Sequence, residues 1–175
     1  MFDFNHRKKT SSDGVSLLAS ILVCHAEIAS VSYEPKERSI DFSFNLKKVP
    51  TKEEFRDFAQ LVGESLETYS LLEGSYQPQK VDFTLETQGG VAFFHIVRDL
   101  TTLVRGEINL MVKLVKDKFG TELVRDRYAP DRLDEEFAAA QEEVLEHVLL
   151  TVKDSGLKNK LVGIREEGRV VVFDP

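Results

Sequence analysis

The sequence predicts an α+β domain: a mainly antiparallel sheet built from β-hairpins, with helices packed on one face. Three observations carry this. Period-two alternation recurs on both sides of short turns at Pro35–Arg38, Gln88–Gly90 and Glu166–Gly168. Apolar stripes at helical spacing lie between those hairpins. The first hairpin sets an apolar face against short polar and acidic groups, which suits a sheet wet on one side and not a parallel sheet covered on both.

In chain order, Leu18, Ile21 and Leu22 form the inward face of a first helix, with Ser11 or Ser12 as its expected cap. Ala29, Val31 and Tyr33, then Ile40, Phe42, Phe44 and Leu46, are the apolar positions of the first hairpin. Asp41, Ser43 and Asn45 lie on its solvated side. Thr51 and Glu54 make a capping box for a helix whose stripe is Phe55, Phe58, Ala59, Val62, Leu66, Tyr69 and Leu72, stopped by Gly74.

Val81, Phe83 and Leu85 alternate with Asp82, Thr84 and Glu86 in the second hairpin, which turns at Gly89-Gly90. The returning run, Val91 to Val97, is apolar almost throughout and is expected to be central and covered on both faces. Asp99 opens a helix with stripe Leu100, Val104, Ile108, Met111 and Val115, ending near Gly120. Asp131 caps a long helix reaching about Lys153, with Leu133, Phe137, Ala140, Val144, Val148 and Val152 inside. A third hairpin, Leu161 to Phe173, turns through a three-residue loop, Glu166-Glu167-Gly168. Hairpin-then-helix occurs twice, at residues 26–73 and 79–119, without residue-level identity between the two.

The 175 residues suit one domain, residues 1–175, and a chain of this size buries about 70% of its unfolded surface without metal or disulfide. A possible subdivision separates a hairpin–helix core, 1–122, from a C-terminal helix plus hairpin, 131–175, across the short linker Glu122–Pro130. The formal charge of −7 argues against nucleic acid as a partner held on a broad basic face. The one cysteine, Cys24, excludes an internal disulfide and a multi-cysteine metal site. No metal and no cofactor is expected.

His6-Arg7-Lys8-Lys9 ahead of the apolar run Val15–Val23 and Cys24 imitates a lipoprotein leader. Val23 stands where a small residue belongs, Asp13 interrupts the pattern, and the run is about half the ~20 residues that cross a bilayer. The expectation is a buried amphipathic helix in a cytoplasmic protein without membrane association.

Phosphate-binding loops, dinucleotide fingerprints, zincin helices and nucleophile elbows are absent. Cys24-His25 reads as a buried thiol beside a surface imidazole, because neighbours on a helix point about 100° apart. His95, inside Phe93–Val97, reads as a core histidine satisfied by one hydrogen bond. The alternative makes it a ligand contact, with Arg98 and Arg105 holding an anion at the strand-to-helix junction. Gly63 and Gly106 interrupt strong helices, as close helix packing would require.

From Asp131 to Asp154 there are eight acidic and two basic side chains, a net −6. Asp134, Glu135, Glu136, Glu142, Glu143 and Glu146 read as a solvated face. Arg105 to Arg127 has six basic and four acidic, a net +2. The long helix is apolar over more than one narrow stripe, since Leu145, Leu149 and Leu150 widen it. Phe137, Val144, Leu145, Val148, Leu149 and Val152 are therefore candidates for a homodimer interface, the helix from Leu100 to Phe119 being the competing partner within the chain.

The function expected is that of an acidic, non-enzymatic protein acting through self-association or an unidentified protein partner. The alternative is a small-molecule binder of an anionic ligand, or an enzyme, with a pocket near His95.

Overall fold

A computed structural model describes residues 4–129 and 134–175, with side chains from Ser12 onward. The chain runs α1 (Phe4–Cys24), β1 (Ser30–Glu34), β2 (Ser39–Leu46), α2 (Lys52–Glu73), β3 (Val81–Gln88), β4 (Val91–Asp99), α3 (Arg105–Phe119), α4 (Glu135–Ser155), β5 (Leu161–Glu166) and β6 (Arg169–Phe173). The six strands form one sheet in the order β3-β4-β2-β1-β5-β6, every neighbouring pair antiparallel. This is the α+β architecture expected.

Alternation decides which face each residue takes. Val31, Tyr33, Ile40, Phe42, Phe44, Leu46, Ala92, Phe94 and Ile96 are buried on one face, in one core with all four helices. The rings of Phe58 and Phe119 sit 5.4 and 6.0 Å from that of Phe94, so α2 and α3 close over the middle of the sheet. α1 covers β1, β5 and β6, and α4 lies on α1. Gly14 and Gly163 permit this close approach, because a Cβ at either would run into Leu157 and Leu161, or into Leu22.

The two hairpin–helix units meet along their inner strands. β2 and β4 pair with Ser43 opposite His95 near the middle of the register, so the units are related approximately by a two-fold arrangement. The third hairpin, following α4, adds β5 to the outer side of β1.

Several local expectations hold. Thr51 Oγ1 accepts from the Glu54 N–H at 3.1 Å, Gly74 ends α2 in the left-handed region, and Gly89 and Gly90 both take positive φ.

Others need correction. α1 begins at Phe4, so Ser11 and Ser12 lie inside it and do not cap it. On α2, Leu72 is exposed and Ser70 takes the inward place, because the helix turns that residue away from the sheet in its last turns. Asp99 ends β4 and caps a turn through the Thr102 N–H at 2.9 Å, while α3 starts only at Arg105. The third hairpin turns on two residues, Glu167 and Gly168, with Glu166 opposite Arg169. Asp134 caps α4, accepting from the N–H groups of Glu136 and Phe137. Asp131 and Leu133 lie outside the described residues.

Strand β4 is central, as expected, but it is not covered on both faces. Its residues alternate between buried and half-buried, because the helices lie on one side only. Of the polar positions expected in water, Asp82, Thr84 and Glu86 are exposed. Ser43 is covered, its small side chain shaded between its neighbours Ser30 and His95. Among the described residues no helix is long and apolar enough to cross a membrane.

Candidate functional site

The face of the sheet away from the helices has two halves. Across β3, β4, β2 and β1 it presents Asp82, Thr84 and Glu86, then Phe93, His95 and Val97, then Asp41, Ser43 and Asn45, then Ser30, Ser32 and Glu34. Across β5 and β6 it presents Val162, Ile164, Val171 and Phe173, with Glu166 and Arg169 at one end. An acidic half thus adjoins an apolar half.

His95 stands in the middle of the acidic half. Its Nδ1–H donates to Asp41, with Oδ1 at 3.0 Å and Oδ2 at 3.2 Å. Nε2 is covered, has no hydrogen-bond partner among the described residues, and lies 3.9 Å from the Glu86 carboxylate. The bond to Asp41 raises the imidazole above its ordinary range; burial opposes this, and Glu86 adds to it. An imidazole held between two carboxylates favours a cation on this surface and disfavours an anion. The Asp–His pair is half of the arrangement that activates a serine; its Nε2 lies toward the Glu86 carboxylate, and among the described residues no hydroxyl bonds to it.

His95, Arg98 and Arg105 do not converge. Arg98 lies three residues along β4 on the helix side, wholly buried, where it pairs with Asp99 at 2.8 Å and with Glu107. Arg105 opens α3 and binds Glu142 of α4 at 2.8 Å, with Glu146 at 3.8 Å. The mild basic and acidic surfaces read from the sequence therefore meet here within one chain. His95 has the hydrogen-bond partner expected, Asp41, but is half-buried on the open face and not part of the helix-side core; the apolar run around it hides which side chains alternate outward.

The long helix uses its apolar width within the chain as well. Leu145, Leu149 and Val152 are buried and Val148 is packed at the edge of the core. Their main neighbour is α1, not α3, because β5 and β6 bring α1 beneath α4. Of the six interface candidates, Phe137 and Val144 are exposed, as is Leu150.

A cavity of about 320 Å³ lies between the end of α1, residues 125–129, Phe137 and the β5–β6 turn. Its charged groups have partners. Glu27 lies 3.4 Å from Lys116 and 3.9 Å from Arg125. Arg165 donates to the carbonyls of Leu22, His25 and Ile28, closing the C-terminal end of α1. Burial pushes the Cys24 thiol up to about 11 and holds His25 down at about 4, so both are neutral at pH 7. His25 is thus no surface imidazole, and its Nε2 is covered.

Reasoning from sequence missed Asp41 as the partner of His95, Glu107 as a buried charge and Arg165 as a half-buried one. The only available signal was parity: Asp41 and His95 both stand out of phase with the phenylalanines beside them. The chain matches no family model, no curated protein and no solved structure.

Proposed function

We propose that this chain is a docking protein that receives a basic, apolar-bearing segment of a partner protein on the open face of its sheet. The observation that carries the reading is the division of that face. Asp41, Glu86 and Glu34 supply negative charge on one half, and Val162, Ile164, Val171 and Phe173 supply apolar area on the other. Charge of this kind steers encounter and selects a partner of opposite sign, while the apolar half contributes most of the affinity. The same acidity disfavours a second copy laid face to face, because the like-charged halves repel.

The test is a titration of isotope-labelled protein with a synthetic peptide alternating lysine and leucine, against a glutamate-for-lysine control, followed by amide shifts. Shifts centred on Asp41, His95, Ile164 and Val171, weakened in Asp41→Lys and absent with the control, are the expected result. Equal response to both peptides, or shifts confined to the helices, overturns the reading. Concentration-dependent shifts on the same residues without peptide would instead show a second copy on this face.

A further inference from the structure

Strand β6 is an edge, and its chemistry is unlike that of the other edge, β3. β3 reads Val-Asp-Phe-Thr-Leu-Glu-Thr-Gln, with polar residues at alternate positions, two of them charged, and Lys80 beside Asp82. Natural edge strands are protected in this way against pairing with another chain. β6 reads Arg-Val-Val-Val-Phe, with no proline, no bulge in its pairing to β5 and one charge at its first position.

The hairpin fixes which backbone groups face outward. Glu167 and Gly168 both have positive φ, 49° and 79°, as a two-residue turn of the primed type requires. In such a hairpin the closing residues, Glu166 and Arg169, bond to each other, and bonded and unbonded pairs then alternate along the ladder. Arg169, Val171 and Phe173 therefore direct their N–H and C=O groups to β5. Val170 and Val172 direct theirs away from the sheet, and no other backbone segment among the described residues pairs with them.

We infer that two copies of this chain pair edge to edge through β6, antiparallel, about a two-fold axis at Val171. That register alone brings the outward groups of Val170 opposite those of Val172 in the partner, twice, so that both pairs can exchange their bonds. It sets Val171 against its own copy and Arg169 against the partner's Phe173, at the closer, unbonded positions of the ladder. Each guanidinium then lies beside an aromatic ring, a favourable cation–π arrangement formed on both sides of the axis. Val171 and Phe173, 38% and 42% exposed, lose water by this pairing. The interface is isologous, the commonest kind in soluble oligomers, and it joins the apolar halves of the two open faces into one strip. The inference does not depend on the docking function, and it touches the open face only at the β6 edge.

Sedimentation equilibrium with two variants tests it. Val171→Lys sets two ammonium groups against each other at the axis, on a side chain that is partly in water. Val172→Pro removes an outward N–H and spares the bonds to β5. The expected result is a dimer at high micromolar concentration that becomes a folded monomer in either variant. A native monomer, or a dimer that persists in both folded variants, overturns the inference. If Val172→Pro fails to fold, amide exchange of the unmodified protein decides. Protection of Val170 and Val172 that rises with concentration supports the pairing, and protection independent of concentration rejects it.

Discussion

The guanidinium of Arg98, near the end of β4, donates to the carboxylate of Glu107 in the first turn of α3, and neither side chain is exposed to solvent. Asp99 and Thr102 complete the cluster, Arg98 Nη1 donating to Asp99 at 2.8 Å. Arg98 Nε and Glu107 Oε1 are buried and have no hydrogen-bond partner among the described residues. Burial pushes the Glu107 carboxyl up, and Arg98 offsets only part of that. Removing one member leaves the other charge stranded, so Arg98→Leu should cost about 3–5 kcal/mol in urea unfolding. The double variant Arg98→Leu, Glu107→Leu should recover much of that loss. Equal losses in the single and double variants would show that the pair itself stabilises the fold.

Tyr69 of α2 packs its hydroxyl against Gly106 of α3, where a Cβ would collide with it, whereas among the described residues nothing outside its own stretch of helix lies within 4 Å of a Cβ at Gly63. Gly106→Ala should therefore destabilise by about 1–3 kcal/mol through overpacking. Gly63→Ala should stabilise by about 1 kcal/mol, the difference in helix propensity. Thermal melts of the two variants should move in opposite directions.

His25 and His95 should titrate on opposite sides of the ordinary value of 6.5, the first near 4 and the second above it, in a proton NMR titration. The stability consequence also differs in sign. For His25 the neutral form is favoured in the fold, so stability is complete above pH 6.5 and falls as pH drops toward 4, by about 3 kcal/mol at most. His25→Asn should flatten that fall. For His95 the protonated form is favoured, so its contribution is present below pH 6.5 and is lost as pH rises through its folded value. Asp41→Asn removes the main cause and should lower the His95 value.

Cys24 should resist alkylation at pH 7, since burial keeps its thiol protonated with a pKa of about 11. Cys24→Ala should leave docking and self-association unchanged. Rapid labelling of the native protein, with loss of either property, would contradict the structural role.

Alternation and helical spacing were enough to read the elements and the faces of the first hairpin, but not the inner face of α4, where Leu145 and Leu149 are buried and Phe137, Ala140 and Val144 of the expected stripe are exposed. Phe42 and Phe44 inward against Asp41 and Asn45 outward is a local pattern, and so is the Thr51 cap. The three-residue spacing of His95 and Arg98 already separates them across a strand. Reading them as one site assumed that the strand ended before Arg98, whereas β4 continues to Asp99.

Which strands become neighbours is a different matter, because a period-two pattern names a face but not a partner. Asp41 meets His95 across 54 residues only because β2 and β4 pair in one register. The width of the apolar face on α4 showed that a second packing partner was needed. That the partner is α1 followed from where β5 joins the sheet, and the same placement left β6, and not β1, at the edge. Local sequence determined the elements and the wet and dry sides of the first hairpin. Strand order, the open face and its edge were decided by tertiary packing, since those contacts join segments that no local pattern connects.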